Sequence, residues 1–538
     1  MTNKTEIAMY LVTAREMREM DRKTIEEFGL PGQLLMENAG RKALDMLFDH
    51  FPDRVSKKIG ILVGRGNNGG DGLVMARYLL QMGKEITTFV LTSRDKIKGD
   101  ALSNLILLET LCEKKEGDHL FFIPDNDTFK KFRSHICMHD LFVDGMLGTG
   151  LNTPVRGFFK EVITTVNATR CPILSLDIPS GLDADTGMPL GTCIKATATA
   201  TFGFAKAGLF LGEGREFTGH LEIMDIGIPD YIATQPPPRL HLTEALCIES
   251  LFPPRNTHDH KGTWGHVLII AGSQGKSGAA ILAANAAVAA GTGLVTLGIP
   301  QAINDIVETA TLETMTAPLD NGGETYLTLA ALDPLLELSQ GKSALALGPG
   351  LGTHEETQKL VMGLVQESTL PLILDADGLN CIAHDPSLLK QRKAPTILTP
   401  HPGEMARLTG LSTREIQADR LGVAREFAAT YKVILVLKGA GTLTALPDGT
   451  TFFCPTGNPG MASGGMGDVL TGIIAGLTAQ GMAPADAAKA GAFLHGACGD
   501  FLAQIKGPWG FKASDLITAL PGIFLQLTQD NGRTPEIS

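Results

Sequence analysis

Short apolar runs that end in Gly, Pro or Asp recur along this chain. KKIGILV (57–63), ITTFVL (86–91), DLFVD (140–144) and PILSLD (172–177) come first. HVLIIAG, ALALGPG, LPLILD, APTILTP and VILVLKG follow later. A strand that lacks polar alternation is covered on both faces, which is the condition of a parallel sheet sandwiched by helices. Helical patterns lie between the runs: DGLVMARYLLQMG (71–83) carries apolar residues at helical spacing, with Gly83 as its stop. The longest apolar stretch, AAILAANAAVAAGTGLVTLGIP, is rich in Ala and interrupted by Gly291 and Gly293. It predicts a core helix followed by a strand, not a membrane span. The pattern therefore predicts α/β architecture throughout, with ligands beyond the carboxyl ends of the strands.

With 538 residues the chain exceeds one domain of roughly 100–200. IATQPPPRL (232–240) is the clearest boundary, since three successive prolines remove backbone donors and favour an extended linker. Apolar residues make up 43% and charged residues 19%, which excludes wholesale disorder. A net charge of −12 argues against a nucleic-acid partner, whose phosphates demand basic grooves. The eight cysteines form no C-x-x-C pair and read as free thiols of a reducing compartment. The polar, charged start is not a signal peptide, so the cytoplasm is the expected address, and the tail QDNGRTPEIS is expected to fray.

In the first half, GRGNNGGDG follows GILV and opens a helix, so Gly64, Gly66 and Gly69 satisfy G-x-G-x-x-G in strand–turn–helix context. Such glycines admit a phosphate to the backbone amides at the positive end of a helix. A dehydrogenase would place an acid at the end of the second strand to hold a ribose, yet VLTSR puts Arg94 there. Acids end two later strands instead. Asp144 precedes a second glycine-rich loop, Gly148 to Pro154, and Asp177 precedes Ser180. Taken singly, Asp144 reads as a loop cap and Ser180 as a turn cap. Together, Asn68, Asp144 and Ser180 offer oxygen ligands to one crevice, a set suited to a hard cation.

In the second half, GKS of AGSQGKSGAA is not a P-loop, because Ile270 occupies the position where the motif requires glycine. The strongest signal is NPGMASGGMGDVLTGIIAG (458–476), a glycine loop running into an apolar helix with Asp468 in its first turn. Backbone amides there suit a transferring phosphoryl group, and Asp468 suits a base for a hydroxyl nucleophile. The plainer alternative is that Asp468 only complements the helix dipole.

GRGNNGGDG, VDGMLGTGL and LDIPSGLDADTG, in that order, resemble the epimerase domain of NAD(P)H-hydrate repair enzymes over roughly residues 10–230. The 458–476 segment resembles the anion-hole and catalytic-aspartate motif of the ribokinase-like superfamily. With DADGLN (375–380), TPHPGEMARL (399–408) and KGAGT (438–442), it resembles the dehydratase domain of the same repair enzymes over roughly 245–525. The resemblance implies a Rossmann-like three-layer domain at 1–235 and a ribokinase-like three-layer domain at 241–530.

By position, it implies potassium on Asn68, Asp144 and Ser180, and Asp177 as acid/base at the epimerised carbon. Asn67, Asn68, Gly69, Gly70, Asp71, Gly148, Thr149, Gly150, Leu151, Asn152, Thr153 and Pro154 would hold the hydrated cofactor. In the second domain Asp468 would be the catalytic base, with His401, Gly352 and Gly278 or Ala279 near the nicotinamide. Lys438, Gly439, Ala440, Gly441 and Thr442, with Asn458, Ser463, Gly464, Gly465, Met466 and Gly467, would bind ADP with magnesium. The implied substrates are the NADH and NADPH hydrates, with no nucleic acid, no membrane and self-association of identical chains. Two rivals share some of these motifs: a fused oxidoreductase and small-molecule kinase, and a non-catalytic cofactor sensor.

Overall fold

The computed structural model describes residues 9–320 and 322–529. The expected fraying of 530–538 and the outer ends of the two expected domains lie outside those residues. The chain divides into two compact units. One is Tyr10–Pro238; the other holds Met9 and the chain from Arg239 onward. Met9 belongs to the second because its N–H donates to the Glu244 carboxylate at 3.1 Å and its carbonyl accepts from Leu242. Of the 232–240 segment, Asp230–Ala233 closes as a helical turn and Leu240–Leu242 is already a strand, so the extended linker is shorter than its sequence suggests.

The Tyr10–Pro238 unit is built on a parallel sheet in the order Leu120–Phe122, Ile86–Val90, Ile59–Val63, Leu141–Gly145, Ile173–Leu176, Ala198–Phe202, His220–Met224. Two apolar cores lie on its two faces. Ile59, Ile61 and Val63 enter one and Leu62 the other, as the twofold period of a strand requires. The three-layer, doubly wound arrangement is the expected one. The order in which the chain adds strands reverses between Ile59–Val63 and Leu141–Gly145, which opens a crevice at their carboxyl ends.

The helix after the first of these strands runs Asn67–Gln81 and starts four residues earlier than its apolar spacing predicts. Glycines make this possible. A Cβ on Gly69 would lie 2.1 Å from the Gly64 carbonyl oxygen, and one on Gly64 would lie 2.0 Å from that of Met146. Gly66 meets nothing, so of the three motif glycines two serve packing and one leaves open space. Gly64→Ala is therefore expected to cost about 2–4 kcal/mol in urea unfolding, because the Met146 carbonyl oxygen is backbone and cannot simply move aside.

The second unit carries a longer sheet. Its order is Met315–Leu319, Leu294–Pro300, His266–Ile270, Ala344–Leu347, Leu372–Leu374, Thr396–Leu398, Ile434–Leu437, Leu443–Ala445, Thr451–Phe453, Leu240–Leu242. The strands are parallel up to Ile434–Leu437. Beyond it Leu443–Ala445 pairs antiparallel with both neighbours, a departure from the all-parallel reading. KGAGT is the turn of that hairpin, where Gly439 and Gly441 take positive φ. The alanine-rich segment is the helix Ser277–Ala289, followed by the strand Leu294–Pro300 as expected. Small side chains let it lie backbone against backbone on Met466–Ala479: a Cβ on Gly472 would come 2.1 Å from the Ala283 carbonyl oxygen. That contact fixes the helix whose first turn holds Asp468. All eight cysteines are free thiols, and no described helix is long and apolar enough to cross a membrane.

Candidate active sites

In the Tyr10–Pro238 unit a cavity of about 780 Å³ opens at the carboxyl ends of the central strands. The helix start contributes Asn67, Asn68, Gly69 and Asp71 to its wall, the next loop Gly148 to Thr153, and the following strand end Asp177. Two of the residues predicted to hold the hydrated cofactor do not line it. Gly70 is buried, where a Cβ would strike Met36 Sδ at 2.5 Å, and Pro154 lies past the end of the lining loop.

Asp177 takes φ +63, a left-handed conformation that side chains other than Gly rarely adopt. Its N–H donates to the Ala200 carbonyl at 2.7 Å, which holds the strained turn. Its carboxylate is ion-paired with Lys206, whose ammonium is almost wholly buried. Lys206 also donates to Thr201 Oγ1 at 3.1 Å and to the Phe202 carbonyl at 2.8 Å. Two further carboxyls crowd this lysine. Burial pushes Asp21 up to about 6, with Asp177 adding to the rise and Lys206 opposing it. Burial also holds Asp71 well above the usual carboxylate range, helped by Asp177 and Asp21. With one ammonium among three acids, burial and mutual repulsion favour the protonated forms of Asp21 and Asp71. Sequence reading missed Lys206 and Asp21. A lone lysine in the apolar run FAKAG was the available signal for the first; nothing local marks the second.

Asn68, Asp144 and Ser180 are brought together at the edge of this cavity, which Asn68 alone of the three lines. Ser180 donates through Oγ to Asp144 Oδ1 at 2.6 Å and through its N–H to Oδ2 at 2.9 Å. Ser175 Oγ donates to Oδ2 at 2.9 Å. Asn68 Nδ2 donates to the Leu147 carbonyl at 3.1 Å, and that oxygen lies 3.1 Å from Ser180 Oγ. Burial raises the Asp144 carboxyl, the hydroxyl donors only partly offset this, and among the described residues it makes no ion pair. Asn68 Oδ1 is buried without a hydrogen-bond partner. A buried acid without a cation, beside an orphaned amide oxygen and a carbonyl, fits a hard monovalent ion.

The second unit assembles its site around Asp468, in the first turn of Met466–Ala479 behind Gly465 at φ +89. Burial pushes Asp468 up to about 7; Asp375, Asp377 and Glu404 add to the rise and Lys438 opposes it. Lys438 binds Asp375 at 2.7 Å and approaches Glu404 at 3.8 Å. Burial alone lowers the Lys438 ammonium, but its acidic neighbours outweigh that and leave it raised. Asp375 also accepts from Thr471 Oγ1 at 2.7 Å. Asp377 pairs with Lys276 at 2.9 Å and accepts from the Gly352 N–H at 2.8 Å. Between the two acids Ala376 sits at φ +51, a strained non-glycine position that turns them toward different partners. DADGLN was visible as a motif, but Asp375 and Asp377 had no role, and Glu404 and Lys276 were not singled out.

The other predicted residues distribute unevenly. His401 caps the helix Pro402–Thr409: its Nδ1 accepts from the N–H groups of Gly403 at 2.9 Å and Glu404 at 3.4 Å. Burial and the charge of Lys438 lower its pKa, so it is neutral at pH 7. Ala279 packs beside Gly350, while Gly278 faces open space. Lys438 is bound into the acidic cluster, not free at a nucleotide's edge. The turn from Gly439 to Thr442 is held by Arg420, which donates to the Ala440 carbonyl at 2.5 Å and to those of Leu437 at 3.1 Å and Lys438 at 3.3 Å just before it. Asn458 is committed to Asp500 at 2.9 Å and to the Gly460 N–H at 3.0 Å. Ser463 and Gly464 are exposed, and Gly465, Met466 and Gly467 lead into the helix beside Asp468. A Cβ on Gly467 would stand 3.3 Å from Lys438 Nζ.

Comparison with known proteins places both units. The family model described as NAD(P)H-hydrate dehydratase matches residues 267–522, and that described as YjeF-related protein N-terminus matches 32–208. A bifunctional NAD(P)H-hydrate repair enzyme of Moorella thermoacetica is 44% identical over 524 residues, covering 97% of this chain and 98% of the relative. The Escherichia coli enzyme of the same description is 35% identical, covering 95% and 93%. The crystal structure of an ADP/ATP-dependent NAD(P)H-hydrate dehydratase from Bacillus subtilis, with ATP and magnesium, is 32% identical. It covers 53% of this chain and 98% of its own, with a TM-score of 0.47.

Proposed function

The chain belongs to the family of bifunctional NAD(P)H-hydrate repair enzymes, and from that premise we propose how its two sites divide the work. Residues 1–235 epimerise the R and S hydrates of NADH and NADPH. Residues 241–530 dehydrate the S hydrate at the expense of ADP, giving AMP and phosphate. The observation that carries the reading is that each unit sets a carboxyl, Asp177 or Asp468, beside a buried lysine next to a glycine-rich loop.

In the first unit the substrate's phosphates lie against the backbone of Gly66 to Gly69 and the loop Gly148 to Thr153. Inversion at C6 breaks and remakes the C–O bond, with a proton delivered to the leaving hydroxyl and withdrawn when it returns. Asp177 makes that transfer, and the raised carboxyls of Asp21 and Asp71 can return the proton to it. Potassium would be held by Asn68 Oδ1, Asp144, Ser180 Oγ and the Leu147 carbonyl, where it supplies positive charge to the bound diphosphate. Exchanging potassium for a large organic cation is expected to lower the melting temperature of this unit by several degrees, read by scanning calorimetry.

In the second unit Asp468 takes the proton of the C6 hydroxyl as that oxygen attacks the terminal phosphorus of ADP, and AMP leaves. The ring nitrogen's lone pair then expels phosphate, and loss of the C5 proton restores the dihydropyridine. The amides from Gly464 to Gly467 face the transferring group. Four carboxyls against two lysines suit a nucleotide whose phosphates carry magnesium, which these carboxyls would help to hold and which would neutralise charge on the departing phosphate oxygens.

Because the raised Asp468 must lose its proton to act, dehydration is expected to climb with pH through about 7 and level off above it. A flat profile of kcat/KM from pH 6 to 8 would remove Asp468 as the base. Mixed hydrate epimers with ADP or ATP test the whole reading through the return of reduced-nicotinamide absorbance. Complete return with ADP supports it; arrest at the S fraction denies the epimerase, and no return with either nucleotide denies the dehydratase.

A further inference from the structure

Away from both sites, three metal-ligating side chains converge on the surface of the Tyr10–Pro238 unit. His50 is the last residue of the helix Gly32–His50. His220 opens the strand His220–Met224, which is the outer strand of this unit's parallel sheet, and Glu222 stands two residues on, hence on the same face. One nitrogen from each histidine and one oxygen of Glu222 all lie within 4.8 Å of one another. His220 Nε2 is 3.2 Å from Glu222 Oε1. Nothing in either reaction uses these residues, and they come from parts of the chain 170 residues apart.

We propose that His50, His220 and Glu222 form a surface site for a borderline divalent transition-metal ion, zinc being the expected occupant. Two imidazoles and one carboxylate are a standard donor set for zinc, with water completing a tetrahedron. The site differs in kind from the oxygen-only set at Asp144, so the two would not compete for one ion. Two features favour a cation here. Glu222 supplies negative charge. The helix Gly32–His50 ends at the site, which brings the negative end of its dipole there. The imidazole rings already stack with centres 4.3 Å apart and planes 20° from parallel. In that pose their lone pairs do not meet at one point, so each ring must turn about its Cβ–Cγ bond. Both side chains are exposed, which leaves the rings room to turn; His50 also meets the Phe51 ring edge-on, with centres 5.4 Å apart. A bound ion would clip the end of a helix to the outer strand of the sheet, and its effect is on stability.

The test is titration of the reduced full-length protein with zinc sulfate by calorimetry, and with cobalt(II) by its visible spectrum. The double variant His50→Asn, His220→Asn is the comparison. The expected result is loss of about one bound zinc ion per chain in the variant, with the tetrahedral cobalt bands weakened. At a hundredfold excess of zinc over its Kd, the parent protein's melting temperature should rise by about 3–8 °C, with no such rise in the variant. Epimerisation and dehydration should be equal in both proteins. Equal zinc stoichiometry and affinity in parent and variant would overturn the proposal. A second variant, Glu222→Gln, guards against a folding artefact: it leaves both imidazoles in place and should weaken zinc binding about tenfold or more. An unchanged affinity there would likewise count against the site.

Discussion

Asp468→Asn is expected to lower dehydration about a thousandfold or more while epimerisation continues at the parental rate. Asn keeps the size of Asp468 and its place in the first turn of Met466–Ala479, but cannot accept the hydroxyl proton. The fold should survive and even gain. The Asp468 carboxyl is raised by burial, so from about pH 4 to about 7 the folded chain holds a proton that the unfolded chain has lost. Stability from this group therefore falls as pH rises through that window. Asn has no such term, and the variant should resist urea better than the parent at pH 8. The measurement pairs ADP-dependent absorbance recovery with epimer exchange followed by chromatography. Loss of both activities in a folded variant would refute the assignment of separate sites.

The second large effect is the mirror image. Asp177→Asn should cut epimerisation by about a hundredfold to ten-thousandfold and leave dehydration of the S hydrate intact. Asn is among the side chains that best tolerate left-handed backbone, so φ +63 and the bond to the Ala200 carbonyl should persist. Lys206 would lose its ion pair, yet Asp21 and Asp71 lie close enough to feel its charge and can ionise in compensation. The variant should thus remain folded, with recovery of absorbance stopping once the S hydrate is consumed. Normal epimerisation in this variant would make the Asp177–Lys206 pair a structural feature only.

Much of this protein was legible from the chain itself. Unalternating strands, helix stops such as Gly83 and the glycine turns after Val63 depend on neighbours in sequence, so local patterning predicts them. The same holds for Asp144, Asp177 and Asp468, because an acid at a strand end or in a helix's first turn is a short-range signal. The early start of the helix at Asn67 was not legible, since it depends on how closely Gly64 and Gly69 approach each other and Met146 in space.

The pairings that give each carboxyl its chemistry were decided only by the tertiary structure. Lys206 reaches Asp177 from 29 positions away, Lys438 reaches Asp375 from 63, and Asn68 meets the Leu147 carbonyl from 79. Sequence pattern fixes which residues stand at the ends of strands. Burial and the long-range return of the chain fix which charges face one another, and Coulomb energies act through space without regard to chain order. The charge pairings and the protonation states that follow from them therefore belong to the fold, while the fold's layers belong to the sequence.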